Sequence, residues 1–173
     1  WLTLGSALFE GLPSQTITHV QWWRDRFWIG GPEGVISLTM RRGSPQLIQV
    51  PDMVGAVLDM EAGADTALWI LEQRNCKESG SNCLRLSKLA QPNQSPIVLL
   101  DEANHFAEVN LVDLHFAQQV GDVLTLVGDA GIFSYDTSLH RWERLFDKPV
   151  GTVLSFQDGQ GFSFAVPFGV GLT

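Results

Sequence analysis

The sequence predicts an all-β fold, a β-propeller or a fragment of one, with about four blades of four antiparallel strands each. Three observations lead to this prediction. Short segments rich in β-branched, aromatic and aliphatic residues recur between Gly, Pro, Asn and Asp residues. No long i, i+3, i+4, i+7 apolar stripe marks a helix. An apolar-x-x-apolar pattern recurs four times along the chain.

The recurring pattern predicts the first, innermost strand of each blade. It reads "ITHV" at 17–20, "VGAV" at 54–57, "LVDL" at 111–114 and "VGTV" at 150–153, with starts 37, 57 and 39 residues apart. A second apolar strand follows each time: "FWIGG", "LWILE", "TLVGD" and "FSFAV". The long middle interval holds a cysteine hairpin and the loop "AQPNQSP", so we interpret it as one blade with extended connections.

A glycine step predicts the third strand, and a turn precedes the fourth. "GVISLTM" follows Glu33 and "GIFSYDT" follows Ala130, and then come "PQLIQV" and "RWERLF". We therefore predict a single domain with blades at 11–50, 51–100, 109–147 and 148–173, the last completed by residues 1–10. The alternative is a piece cut from a larger ring.

Charge and hydropathy exclude several classes of partner. The chain has 19 acidic and 11 basic residues and a net charge of −8, which argues against nucleic acid and anionic lipid as partners. No apolar stretch approaches the roughly 18 residues that a transmembrane helix needs. We predict no transmembrane segment in this chain.

The two cysteines, Cys76 and Cys83, lie in "LEQRNCKESGSNCLRLSKL". Gly80 and its polar neighbours predict a turn between two alternating strands, and a hairpin brings the two Cβ atoms into disulfide range. The alternative is two unpaired thiols on a loop. Metal binding would need a nearby histidine, and the nearest is His105. A disulfide would place the chain in the periplasm or outside the cell.

The stretch "GLPSQTITHVQWWRDRFWIGGPEGVISL" resembles the repeat of the two-component-regulator propeller family. The matching positions are Gly11, Leu12, Pro13, Ser14, Ile17, Val20, Trp28, Ile29, Gly30, Gly34 and Val35. "DVLTLVGDAGIFSYDTSLHRWERL" is similar, with Val127, Gly128, Gly131, Ile132, Tyr135, Asp136 and Trp142 in place. Departures are Gly31 in place of Thr, Leu126 in place of Trp and Leu71 in place of Gly. The resemblance implies an extracytoplasmic sensor or binding module of a kind often joined to a kinase or other output domain.

The tryptophans divide into two groups. Trp28 and Trp69 occupy the second strand, where we predict that they pack between neighbouring blades. Trp22 and Trp23 are adjacent, so on a strand they face opposite sides of the sheet, and we predict that one of them is exposed or at an interface. This pair is the best candidate for a contact with a partner.

Histidines on the inner strands provide the other binding candidates. On the repeat overlay His19 aligns with Asp113, and His115 aligns with Gln21, all lining the central channel. The corresponding positions in the other blades are Ala56 and Thr152, or Leu58 and Leu154, so we expect polar channel lining and no metal site. The sequence has no G-x-S-x-G elbow, no H-E-x-x-H motif and no P-loop. We predict no catalytic residues and no cofactor.

These observations favour a non-catalytic binding or scaffolding module, outside the cytoplasm, acting as an accessory subunit of a larger assembly. Its partner would be a protein or a small ligand, because loops on a rigid scaffold are where recognition is generally placed. One alternative is the ligand-sensing domain of a two-component-type signalling receptor. The other is a propeller lyase or hydrolase that uses channel histidines and carboxylates.

Overall fold

The computed structural model describes residues 16–63, 66–75, 82–101, 114–128, 131–147, 150–156 and 162–167. Within these ranges all strands pair antiparallel and no helix occurs, which confirms the all-β prediction. None of the described segments is a helix that could span a membrane.

The first sheet is a meander of four strands joined by two-residue turns. Its strands, in spatial order, are β1 (His19–Trp23), β2 (Arg26–Gly31), β3 (Gly34–Arg41) and β4 (Ser44–Gln49). Arg24 and Asp25 have φ angles of 48° and 61°, and Arg42 and Gly43 have φ angles of 51° and 81°. Positive φ at both central residues matches the right-handed twist of the strands, so these tight turns fix the hairpin register.

The other sheets follow the same chain order. The second sheet contains β5 (Ala56–Ala62), β6 (Leu68–Asn75), β7 (Asn82–Leu89) and β8 (Ile97–Leu100). The third contains β9 (His115–Val120), β10 (Val123–Gly128), β11 (Gly131–Asp136) and β12 (Arg141–Phe146), and β13 (Val150–Phe156) pairs with β14 (Phe162–Pro167). Three units of four antiparallel strands are thus present, whereas the number of blades and closure of a ring stay predictions. Residues 1–10, expected to complete the last blade, lie outside the described residues.

Three of the four predicted first strands begin later than the apolar pattern predicts, whereas β13 begins at Val150, where its pattern starts. β1 begins at His19 instead of Ile17, β5 at Ala56 instead of Val54, and β9 at His115, after "LVDL". For β9 the reason is visible at Leu114, which precedes the strand yet is 1% exposed, whereas Ile17 and Val54 are exposed. Connector residues that enter the core are apolar too, so the pattern by itself does not locate a strand's first residue.

Two glycines open the third strands of the first and third sheets, as the glycine step predicts. Gly34 has a φ of +114°, and a Cβ there would lie 1.8 Å from the carbonyl oxygen of Met53. Gly131 has a φ of +123°, and its Cβ would lie 1.9 Å from the carbonyl oxygen of Phe146. Only glycine combines this backbone conformation with so close an approach of another chain segment.

The core lies between consecutive sheets. Trp28, 0% exposed, packs between the first and second sheets, and Trp69, 1% exposed, between the second and third, as predicted. The first of these cores consists of Trp23, Trp28, Val35, Val50, Met53, Val57, Met60, Leu68, Ile70 and Leu89. The second consists of Trp69, Leu71, Leu84, Leu86, Leu100, Leu114, Phe116, Leu124, Leu126, Phe133 and Tyr135. The second sheet is therefore covered on both faces.

Candidate functional site

The adjacent tryptophans of β1 lie in opposite environments. Trp23 is 5% exposed, and its indole Nε1 donates a hydrogen bond of 2.9 Å to the carbonyl oxygen of Thr66 on the second sheet. Trp22 is 56% exposed on the other side of the strand. The prediction that the two rings face opposite sides is confirmed, and Trp22 is the one available for a contact.

Trp22 belongs to a larger apolar surface, which we call the open face. It lies on one side of the first sheet and consists of the exposed side chains of Val20, Trp22, Phe27 and Met40 and the buried side chains of Ile29, Ile36 and Leu38. The rings of Trp22 and Phe27 meet edge to face with centroids 4.8 Å apart, and Phe27 is 41% exposed. Val20 and Met40 are 58% and 52% exposed. These four side chains give water a contiguous apolar surface, which sequence reasoning found only at Trp22.

Strand pairing shows which face of the fold this is. Gly31 pairs with Gly34 as Gly128 pairs with Gly131, so the first and third sheets can be aligned residue by residue. The open-face residues Phe27, Ile29, Ile36 and Leu38 then correspond to Leu124, Leu126, Phe133 and Tyr135. Those four residues of the third sheet are at most 1% exposed and pack on the second sheet. The open face is thus the equivalent of a buried, sheet-packing face.

The same alignment corrects the sequence overlay. Leu126 corresponds to Ile29 and not to Trp28, whose position in the third sheet is held by Thr125. His115 pairs with Val127 as His19 pairs with Gly30, so His115 corresponds to His19 and not to Gln21. The overlay superposed "LVDL" on "ITHV", whereas strand pairing matches His115, which follows "LVDL", with His19, which lies inside "ITHV".

Asp59 joins the inner strands, and sequence reasoning missed it. One carboxylate oxygen, Oδ1, accepts the backbone N–H of Met60 at 2.7 Å, and Oδ2 accepts the N–H of Phe116 on β9 at 2.6 Å. The Nε2 atom of His19 lies 3.7 Å from Oδ1. In the sequence, Asp59 stands out only as an acidic residue between the apolar Leu58 and Met60.

The contacts of Asp59 in this inner region join neighbouring strands. Asp59 links β5 to β9 through its hydrogen bond to the backbone of Phe116. Burial raises the pKa of Glu61, and the negative charge of Asp59 raises it further. Among the described residues no group of three or more His, Cys, Asp and Glu side chains could hold a metal ion. Asp113, the predicted third member of this set, lies outside the described residues.

A cavity of about 640 Å³ lies beside the connector from β4 to β5. The described residues that line it are Pro32, Val54, Gly55, Ala56, Gln73, Arg74, Asn75, Cys83, Leu84, Arg85 and Asp101. Arg74 and Arg85 both donate to Glu72, whose side chain is 0% exposed. His19 and His115 are not among these lining residues. Sequence reasoning missed this group because its described members are distributed over three strands and three connecting segments.

The cysteine prediction remains open. Cys83 is 8% exposed on β7, and its strand partner is Arg74, two residues before Cys76. Cys76 lies outside the described residues, so the disulfide stays a prediction.

No family model, no curated protein and no solved structure matches the chain.

Proposed function

We propose that this chain is a non-catalytic, propeller-like binding module that engages a protein partner through the open face of its first sheet. The observation that carries the proposal is the exposed pair Trp22 and Phe27, 56% and 41% accessible. Their face corresponds to one that the third sheet buries completely against the second. A face that corresponds to a packing face but exposes four large apolar side chains favours a partner that covers them.

The physical case rests on the combination of area and ring chemistry. Single exposed apolar side chains are normal on protein surfaces, but a contiguous apolar patch marks an interaction site. Tryptophan and phenylalanine bury a large area at a small cost in side-chain entropy, and tryptophan is enriched among residues that dominate binding energy. We therefore expect Trp22 to contribute more to binding than Val20 or Met40.

The remaining parts of the proposal rest on the sequence. The predicted disulfide between Cys76 and Cys83 supports a periplasmic or extracellular location. The resemblance to the two-component-regulator propeller family supports a role in recognition, as a sensor or binding module outside the cytoplasm.

Site-specific photo-crosslinking in the native host tests this proposal. Benzoylphenylalanine replaces Phe27 on the open face or, as the matched control, Ile48, which is 50% exposed on the opposite side of the same sheet. We expect irradiation to join one defined protein to position 27 and not to position 48. The additional substitution Trp22→Ser reduces the yield at position 27 at least about tenfold, because the central contact of the interface is lost.

Two results would contradict the proposal. Equal crosslinking at positions 27 and 48 would show that the open face has no preferred partner. A crosslink from position 27 to residues 1–10 or 148–173 of the same molecule would show that the chain itself covers this face.

The sensor alternative has one observation in its favour, the cavity beside Arg74 and Arg85. The lyase or hydrolase alternative requires His19 and His115 to share a cavity, and neither is among the described residues that line this one. We therefore develop the small-ligand hypothesis and not the enzymatic one.

A further inference from the structure

The walls of the cavity are formed by strand ends and by a connector between two sheets. The ends of β6 and β7 form one side, and the connector at 54–56 closes on them from the other. A Cβ on Gly55 would lie 2.5 Å from the carbonyl oxygen of Gln73 and 2.7 Å from Cγ of Arg74. The connector therefore packs directly on β6, and it forms the wall of the cavity opposite the ends of β6 and β7.

Two guanidinium groups share one buried carboxylate beside this cavity. Glu72 Oε1 accepts a hydrogen bond from Nη1 of Arg85 at 3.1 Å and another from Nε of Arg74. Both arginines also donate to the carbonyl oxygen of Asp52, Arg85 at 2.6 Å. The single negative charge of Glu72 balances only one of the two guanidinium charges.

Donors remain on both arginines. Within the described part of the chain, Arg74 uses Nε and Nη2, and Arg85 uses Nη1 alone. A guanidinium carries five N–H donors in a planar fork, so each arginine retains N–H groups beyond these contacts. Their side chains are 29% and 10% exposed, so a ligand would meet them largely desolvated, where a charge-assisted hydrogen bond is strongest.

We propose that this cavity binds a small molecule through a single carboxylate, held by Arg74 and Arg85. The planar fork of arginine matches a carboxylate in two parallel hydrogen bonds. Asp101 also lines the cavity, so the formal charges of Arg74, Arg85, Glu72 and Asp101 sum to zero, which disfavours polyanions such as nucleotides.

Titrations followed by proton–nitrogen correlation spectra test this site. The probe is propionate at constant ionic strength, and the control is the neutral isostere propionamide. We expect saturable shifts at Arg74, Arg85 and Asn75 with a Kd of roughly millimolar size, and none with propionamide. Arg74→Gln weakens binding at least about tenfold, because a charge-assisted contact is lost. The matched variant Arg141→Gln, which removes a 71% exposed arginine of the third sheet, leaves binding unchanged.

A second variant separates ligand binding from a purely structural role. Glu72→Gln removes the carboxylate that competes for both arginines, so the folded variant binds propionate more tightly, by about tenfold. A cluster that only joins strands would give no such gain. The site is overturned if shifts spread evenly over surface cations, if propionamide acts like propionate, or if Arg74→Gln binds as well as the parent chain. Any of these results leaves the open-face proposal untouched.

Discussion

The two faces of the first sheet are made by the same strands and have opposite fates. On the covered face, Trp23 and Trp28 are 5% and 0% exposed, with ring centroids 5.4 Å apart, in contact with the second sheet. On the open face, the rings of Trp22 and Phe27 also contact each other, edge to face, and remain about half accessible. Residue type does not separate the two pairs. What separates them is whether the alternation of the strand directs them toward a neighbouring sheet.

Directional bonds add to burial on the covered face. The indole Nε1 of Trp23 donates to the carbonyl oxygen of Thr66, and that of Trp28 donates to the carbonyl oxygen of Trp23. The next interface repeats the device, since Nε1 of Trp69 donates to Oε1 of Gln119 at 3.1 Å. Each covered tryptophan thus satisfies its polar atom as well as its ring, as buried indoles require.

The largest expected effect tests the difference between the faces directly. Trp28→Ala leaves a large void in the core between the first two sheets, and we expect a loss of about 3–5 kcal/mol in the free energy of unfolding. Trp22→Ala removes an exposed ring and costs less than about 1 kcal/mol. Urea unfolding followed by circular dichroism measures both. Equal losses would mean that the open face is buried in solution and that the comparison fails.

Two glycines with positive φ compare a packed position, Gly34, with an open turn, Gly43. Gly34→Ala places a Cβ against the backbone of Met53, so the connector must move, and we expect a cost of about 2–4 kcal/mol. Gly43 also has positive φ, at +81°, but nothing lies within 4 Å of its Cβ position. Gly43→Ala therefore costs only the backbone term, about 1 kcal/mol. Thermal unfolding of the two variants side by side gives the difference, and similar losses would argue against a steric role for Met53.

The fold was predictable where the local pattern is sufficient. Turn residues, glycine steps and apolar segments predicted β2, β3, β10 and β11 well, because two-residue turns fix their register. The first strands were placed less well. Leu114 enters the core ahead of β9, the exposed Ile17 and Val54 carry the same apolar pattern outside their strands, and β9 has a bulge that no fixed spacing can represent.

The candidate sites divide in the same way. Strand alternation predicted that Trp22 and Trp23 face opposite sides, but it could not say which side a second sheet covers. Asp59 and the arrangement of the cavity arginines were not predictable, since Asp59 bonds to Phe116 on another sheet and both arginines donate to Asp52 in a distant connector. Long-range packing brings these groups together, and a single sequence does not encode it as a local motif.

A smaller effect isolates the hydrogen bonds of the covered faces. Trp23→Phe keeps most of the ring and removes the donor to Thr66, and Trp69→Phe does the same to Gln119. Each leaves an acceptor without this partner, and we expect a loss of about 1 kcal/mol for each in urea unfolding. Because the bonds lie in different interfaces, the double variant should lose the sum. A variant that loses nothing would show that its interface is held by packing alone.

The smallest effect concerns pH, and it compares a carboxyl beside the covered interface with one in an open turn. The pKa of Glu61 is raised from its ordinary 4.5 by burial and by the charge of Asp59, so ionised Glu61 destabilises the fold. Its penalty grows as pH rises from 4.5 through the raised pKa, and Glu61→Gln should be more stable than the parent at neutral pH.

The pKa of Asp136 is lowered from 3.8 by hydrogen bonds from Leu139 and Ser138, so its stabilisation is present above 3.8 and is lost as pH falls through the lowered value. Asp136→Asn should therefore be less stable at neutral pH, and both differences should vanish in acid. Unfolding midpoints measured from neutral to acid pH give the two signs, and a shared sign would contradict the assignment of causes.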